Sequence, residues 1–103
     1  MGRIKTHPGA ILRREMEELG LSAGRLAIAL GVPANRVTEI INGQRGITPD
    51  TAIRLAAYFG GSPRWWLGMQ AQHDLSKIEE KRGAAIRAEV RPAQTAQGGE
   101  AGA

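Results

Sequence analysis

The sequence predicts an all-α domain of five helices followed by a flexible tail. Apolar residues recur every three or four positions to about residue 80, and no stretch carries a strand signal. Two pairs, Thr48-Pro49 and Ser62-Pro63, spell a capping hydroxyl followed by a proline in the first helical turn. Gly20, Gly31 and Gly60-Gly61 fall where helical patterns end.

The first helix is expected over residues 8–19, with Leu12, Met16 and Leu19 as its apolar side. Arg13, Arg14, Glu15, Glu17 and Glu18 form a charged outer surface. Ser22 is an N-cap for the second helix, and Leu21 and Leu26 have the spacing of a hydrophobic staple. Leu26, Ala27 and Leu30 face its core. Gly31 sits at a sharp turn, where left-handed backbone costs glycine nothing. Pro33 suits the first turn of a third helix, whose buried side is Val37, Ile40 and Ile41. Thr48, Pro49 and Asp50 start the fourth helix, with Ala52, Ile53, Ala56 and Phe59 as its stripe. The fifth begins at Ser62-Pro63 and carries Leu67, Ala71, Leu75 and Ile78 on one side. Adjacent tryptophans cannot share a helix face, so one of Trp65 and Trp66 is expected against the fourth helix and the other partly exposed.

The second and third helices are the most informative stretch. Residues 21–42, LSAGRLAIALGVPANRVTEIIN, have the spacing of a helix-turn-helix unit, whose second helix enters the DNA major groove. Ala27, four residues before Gly31, is small enough for the two helices to cross closely. With Val37 at the centre of the buried side, Asn35, Thr38, Glu39 and Asn42 point outward, flanked by Ala34 and Arg36. Asparagine can pair bidentately with adenine, glutamate can accept from the cytosine amine, and threonine or alanine can touch a thymine methyl. Ala34, Asn35, Thr38 and Glu39 are therefore the base-facing candidates. Ser22, Arg25, Arg36, Asn42, Gln44 and Arg45 are the phosphate-facing ones, since helix N-termini, loop amides and arginine hold phosphates well.

Composition agrees. The net charge is +4 over 103 residues, and residues 83–103 are neutral by count. The excess therefore lies in the folded part, as suits a polyanion partner. There is no cysteine, hence no disulfide framework. The two histidines, His7 and His73, lack metal-ligand spacing and read as capping or surface residues. No phosphate loop or nucleophile motif supports an enzyme, and no cofactor is expected. No membrane span or secretion signal is evident, so the expected location is the cytoplasm.

HPGAIL, then LSAGRLAIALGVPANRVTEIINGQRGITPDTAIRLAAYFG, then SPRWWLGMQAQHDL together resemble the HigA-type antitoxins of the Xre/Cro-like (lambda-repressor-like) helix-turn-helix superfamily. The similarity covers about residues 7–80. Ala10 departs from it, since an acidic residue commonly follows HPG. The resemblance implies a type II toxin–antitoxin module. Its antitoxin silences a small RelE-like ribonuclease that cuts messenger RNA on the ribosome, and represses its own operon as a homodimer on operator DNA. By the same resemblance Asn35, Thr38 and Glu39 align with base-contacting positions and Gln44 with a phosphate-contacting one. Toxin-binding residues do not carry over by motif. The alternatives are a stand-alone Xre-family regulator without a toxin, and a protein-binding module that has lost DNA binding.

The expected division is a DNA-binding domain over residues 1–82 and a tail over residues 83–103, most of it flexible, into which Val90 and its neighbours can extend the last helix as far as Pro92, where it must stop. The tail is rich in alanine and glycine and has only Ile86 and Val90 as large apolar side chains. Ordering such a segment over a partner costs about 1–2 kcal/mol per residue, more than those side chains offset. The folded helices must therefore supply most of the toxin contact. Trp65, Trp66, Leu75 and Ile78 on the fifth helix are the candidates for a dimer or partner interface.

Overall fold

The computed structural model describes residues 4–93. Five helices run in chain order: α1 Pro8–Leu19, α2 Ala23–Leu30, α3 Ala34–Ile41, α4 Pro49–Phe59 and α5 Pro63–Glu89. Among the described residues there is no strand, and no helix is long and apolar enough to cross a membrane. The all-α, five-helix expectation holds.

The local signals act as read. Ser22 Oγ accepts from the Arg25 N–H at 3.1 Å, Thr48 Oγ1 from Thr51 at 3.3 Å and Ser62 Oγ from Arg64 at 3.0 Å. Pro49 and Pro63 open their helices, where a missing N–H leaves nothing unsatisfied. Pro33 instead is the cap residue itself, with extended backbone, and α3 begins one residue later. Gly20 and Gly31 are left-handed, with φ of 66° and 75°. At each, the next residue reaches back two bonds deep: Leu21 N–H to Met16 O at 2.9 Å, and Val32 N–H to Ala27 O at 3.0 Å. This reversal satisfies carbonyls that a helix end otherwise leaves open.

The core is built from Leu12, Met16, Leu26, Leu30, Val37, Ile40, Ile47, Ala52, Leu55 and Trp66. Two stripe assignments need correction. Leu19 is 58% exposed, because the reversal at Gly20 sends Leu21 back onto the core in its place. On α4 the buried stripe is Ala52, Leu55 and Ala56, continued by the partly buried Phe59, at the i, i+3, i+4, i+7 spacing. Ile53 lies one residue, hence about 100°, away from Ala52 and is 59% exposed.

At its C-terminal end α5 runs through Gly83 to Glu89, within the extension that Pro92 limits. Glu79 and Arg87, two turns apart, join across Gly83, and Arg87 Nη1 lies 2.9 Å from Glu79 Oε1. A Cβ at position 83 would collide with the Glu79 carboxylate. Gly83 thus makes room for an ion pair along the helix. Residues 94–103 of the expected tail lie outside the described residues.

His7 caps α1: its Nδ1 accepts from the Gly9 N–H at 2.8 Å. That nitrogen must be unprotonated. The His73 ring meets His7 edge-on at 4.8 Å, and His73 Nδ1 donates to the Lys5 carbonyl at 2.6 Å. The Lys5 N–H donates to Ser76 Oγ at 2.8 Å, which ties the segment before α1 to α5. Burial pushes the His7 pKa below 6.5; His73 and Lys77 push the same way, against Asp74. The unfolded chain then binds a proton at His7 more readily than the folded one. This contribution to stability is full above pH 6.5 and is lost as the pH falls through the folded value. Thermal melts should therefore move to lower temperature on acidification below about pH 6.5, in part through His7. His7→Asn, which caps without titrating, should flatten that slope. An unaltered slope in the variant would exclude His7 as its source.

Candidate nucleic-acid interface

The helix-turn-helix unit is α2, the turn at residues 31–33 and α3. Ala27 is buried at the crossing and Val37 and Ile40 anchor α3 from below. The opposite face of α3 leaves Asn35 and Asn42 exposed, with Thr38 and Glu39 half-exposed between them. The base-facing candidates Ala34, Asn35, Thr38 and Glu39 thus share one face of one helix. Thr38 Oγ1 donates back to the Asn35 carbonyl at 3.2 Å, which leaves its oxygen free to accept.

The phosphate-facing candidates surround this face. Ser22 and Arg25 stand exposed at the N-terminus of α2. Gln44 and Arg45 follow α3, and their N–H groups both donate to the Glu39 carbonyl, at 2.8 and 3.2 Å. Several of these side chains are already engaged. Arg36 Nη1 lies 3.3 Å from Asp50 Oδ1, Asn42 Oδ1 accepts from Arg13 Nη2 at 3.2 Å, and Arg45 Nε lies 2.8 Å from Glu39 Oε1. Arg25 enters no ion pair among the described residues.

Three neighbours hold the unit in place. Arg54 on α4 donates from Nη1 to the Leu30 carbonyl at 2.8 Å, placing a cation at the C-terminus of α2 where the helix dipole favours one. Its Nε meets Asp50 at 2.6 Å, so Asp50 stands between Arg54 and Arg36 and links all three helices of this corner. The Arg54 hydrogen bond, with both positive charges beside it, holds the Asp50 carboxyl below the ordinary carboxylate value. From α1, Gly9 packs directly on the Ile40 carbonyl and Arg13 reaches the C-terminus of α3. From α5, Gln70 Oε1 accepts from the Ile47 N–H at 2.8 Å and pins the loop after α3.

Comparison with known proteins places this geometry. The helix-turn-helix family model matches residues 12–66. A structure of an addiction module antidote protein of the HigA family from Coxiella burnetii superposes with a TM-score of 0.84 at 46% identity, over 88% of this chain and all of that one. The chain belongs to the HigA-type antitoxins of the Xre-like helix-turn-helix family. Virulence-associated protein I of Dichelobacter nodosus is a further relative, 52% identical over 77 residues, which are 74% of this chain and 71% of that protein. The Pseudomonas aeruginosa antitoxin HigA, solved with its higBA promoter, is 40% identical over 89% of this chain and 100% of its own, with a TM-score of 0.82.

In this HigA-type chain the DNA-facing candidates converge, whereas the interface candidates on α5 divide. Trp66 is 3% exposed and packs 6.4 Å from the Phe59 ring. It belongs to the core and is removed from the interface set. Trp65, 52% exposed, and Leu75 and Ile78 remain on the surface. Sequence reading did not single out Arg13, Arg54 or Gln70. The Asp50–Arg54 spacing of four residues was a readable signal for an ion pair. The contacts of Arg13 and Gln70 span 29 and 23 residues and left none.

Proposed function

We propose that this protein neutralises a small RelE-like ribonuclease toxin by direct binding and represses its own operon, reading operator DNA as a homodimer. The observation that carries the reading is the outward polar face of α3. Asn35, Thr38 and Glu39 are presented together, with cations at both ends and a buried side that fixes the helix. Bases are read by such short polar groups in the major groove, while arginines and helix N-termini position the backbone. The Pseudomonas HigA solved with its promoter supports the DNA role, and the antidote relative supports the toxin role.

Size and surface support dimerisation. One short recognition helix contacts too few base pairs for useful discrimination, and the motif doubles across half-sites one DNA turn apart. Leu75, Ile78 and Ile86 line one groove along α5, and Trp65 is exposed near its start. Light scattering should find a dimer at tens of micromolar, and Leu75→Glu with Ile78→Glu should yield a folded monomer with weakened operator binding. A monomeric wild type, free and on DNA, would sink the dimer.

For the toxin, cells carrying the neighbouring gene should arrest growth unless this protein is co-expressed, and the two should co-purify. Removal of residues 94–103 should leave rescue intact, since that segment has no large apolar side chain to bury. Rescue by full-length protein without co-purification would overturn direct binding.

A further inference from the structure

Glu39 poses a physical problem for a DNA-reading helix. A carboxylate at the groove is repelled by phosphates, and its several rotamers blur what it reads. The fold answers both. Arg45 folds back from the loop and sets Nε at 2.8 Å and Nη2 at 2.7 Å on the same carboxylate oxygen, Oε1. Among the described residues no hydrogen bond reaches Oε2. The loop that carries Arg45 is itself held at both ends. The Gln44 and Arg45 N–H groups bond the Glu39 carbonyl, and Gln70 holds Ile47. Gln70 in turn donates from Nε2 to Asp74 Oδ1 at 3.0 Å.

We propose that Arg45 is a positioning residue for base recognition: by gripping Oε1 it aims Glu39 Oε2 at a cytosine amino group, so that the pair specifies one C·G base pair in each half-site. The inference rests on α3 reading operator DNA. The neutralised pair removes the phosphate repulsion, and the fixed free oxygen is an acceptor that demands a donor. Cytosine N4 offers one in the major groove. Adenine N6 is also a donor, but its neighbouring N7 acceptor faces the same carboxylate and repels it. Guanine and thymine present acceptors at this edge. Lysine at position 45 keeps the charge but loses the planar fork that places two nitrogens on one oxygen.

The test selects bound sequences from a randomised duplex library with wild type, Glu39→Gln and Arg45→Lys. Affinities are then measured on the selected duplex and on its single-pair variants over a range of salt. Wild type should select C·G at one position per half-site. Glu39→Gln should lose that preference. Arg45→Lys should relax the same position about tenfold, within the span of one good base contact, while its salt slope stays that of wild type. Unchanged circular dichroism melts confirm that both variants fold. If Arg45→Lys keeps the C·G preference sharp while Glu39→Gln abolishes it, Glu39 reads alone and the positioning role is overturned. If Arg45→Lys weakens all positions equally and lowers the salt slope, Arg45 is a phosphate contact only. If Glu39→Gln changes no position, the reading of DNA through Glu39 itself fails.

Discussion

Gly9→Ala should destabilise the domain by roughly 1–3 kcal/mol or more, although it adds a single methyl group to a small residue. Gly9 is buried, and a Cβ there would drive into the carbonyl of Ile40. Overpacking against a side chain is relieved by rotation, but here the obstacle is main chain at the last turns of α3. Either α1 shifts or the recognition helix does. For a domain of this size each kcal/mol lowers the melting temperature by about 4–8 °C, so the loss is readily measured. Operator affinity should fall with it, because α1 sets the height of α3. Gly24→Ala is the matched control. It lies in α2 with nothing within 4 Å of an added Cβ, and should be neutral or stabilising by up to about 1 kcal/mol. Equal melting temperatures for the two variants would mean that α1 and α3 do not pack backbone to backbone.

That contact shows where sequence reading stopped. Most helix bounds were legible because they have a local chemical cause: a hydroxyl on an N–H at Ser22, Thr48 and Ser62, a proline without one at Pro49 and Pro63, a glycine in left-handed space at Gly20 and Gly31. The cores of α2 and α3 were legible because both faces follow one period. Leu19 and Ile53 were misplaced because period alone does not say where the core ends; tertiary packing trimmed one stripe at Gly20 and turned the other towards Leu55. The place of Gly83 in α5 was not legible, because its reason is an ion pair between Glu79 and Arg87, visible only once the helix is built. The outward face of α3 could be listed from the sequence, but not its partners. Arg36 on Asp50, Arg45 on Glu39 and Arg13 on Asn42 each cross from another segment. Charge counting treats these arginines as interchangeable, whereas the structure separates those already paired from Arg25.

Asn35→Ala should cost about 1–3 kcal/mol per half-site on the promoter duplex of its own gene, and little on random DNA. Asn35 is exposed at the start of α3, where side chains of a recognition helix meet base edges. Its amide can bond both N6 and N7 of adenine, so the loss should concentrate at one A·T pair. A dimer carries the substitution twice, and the costs at separate half-sites add. Because the side chain is exposed, the melting temperature should not move. Arg25→Ala is the contrast. Arg25 stands at the N-terminus of α2, outside any described ion pair, so its removal deletes a charge without freeing another. It should weaken promoter and random DNA alike and lower the salt slope by about one unit per half-site. Arg45 is the poorer contrast, since removing it would also release the Glu39 carboxylate towards the phosphates. Equal losses for Asn35→Ala on both duplexes would remove Asn35 from the base-reading set. A sequence-dependent loss for Arg25→Ala would move the reading face from α3 towards the start of α2.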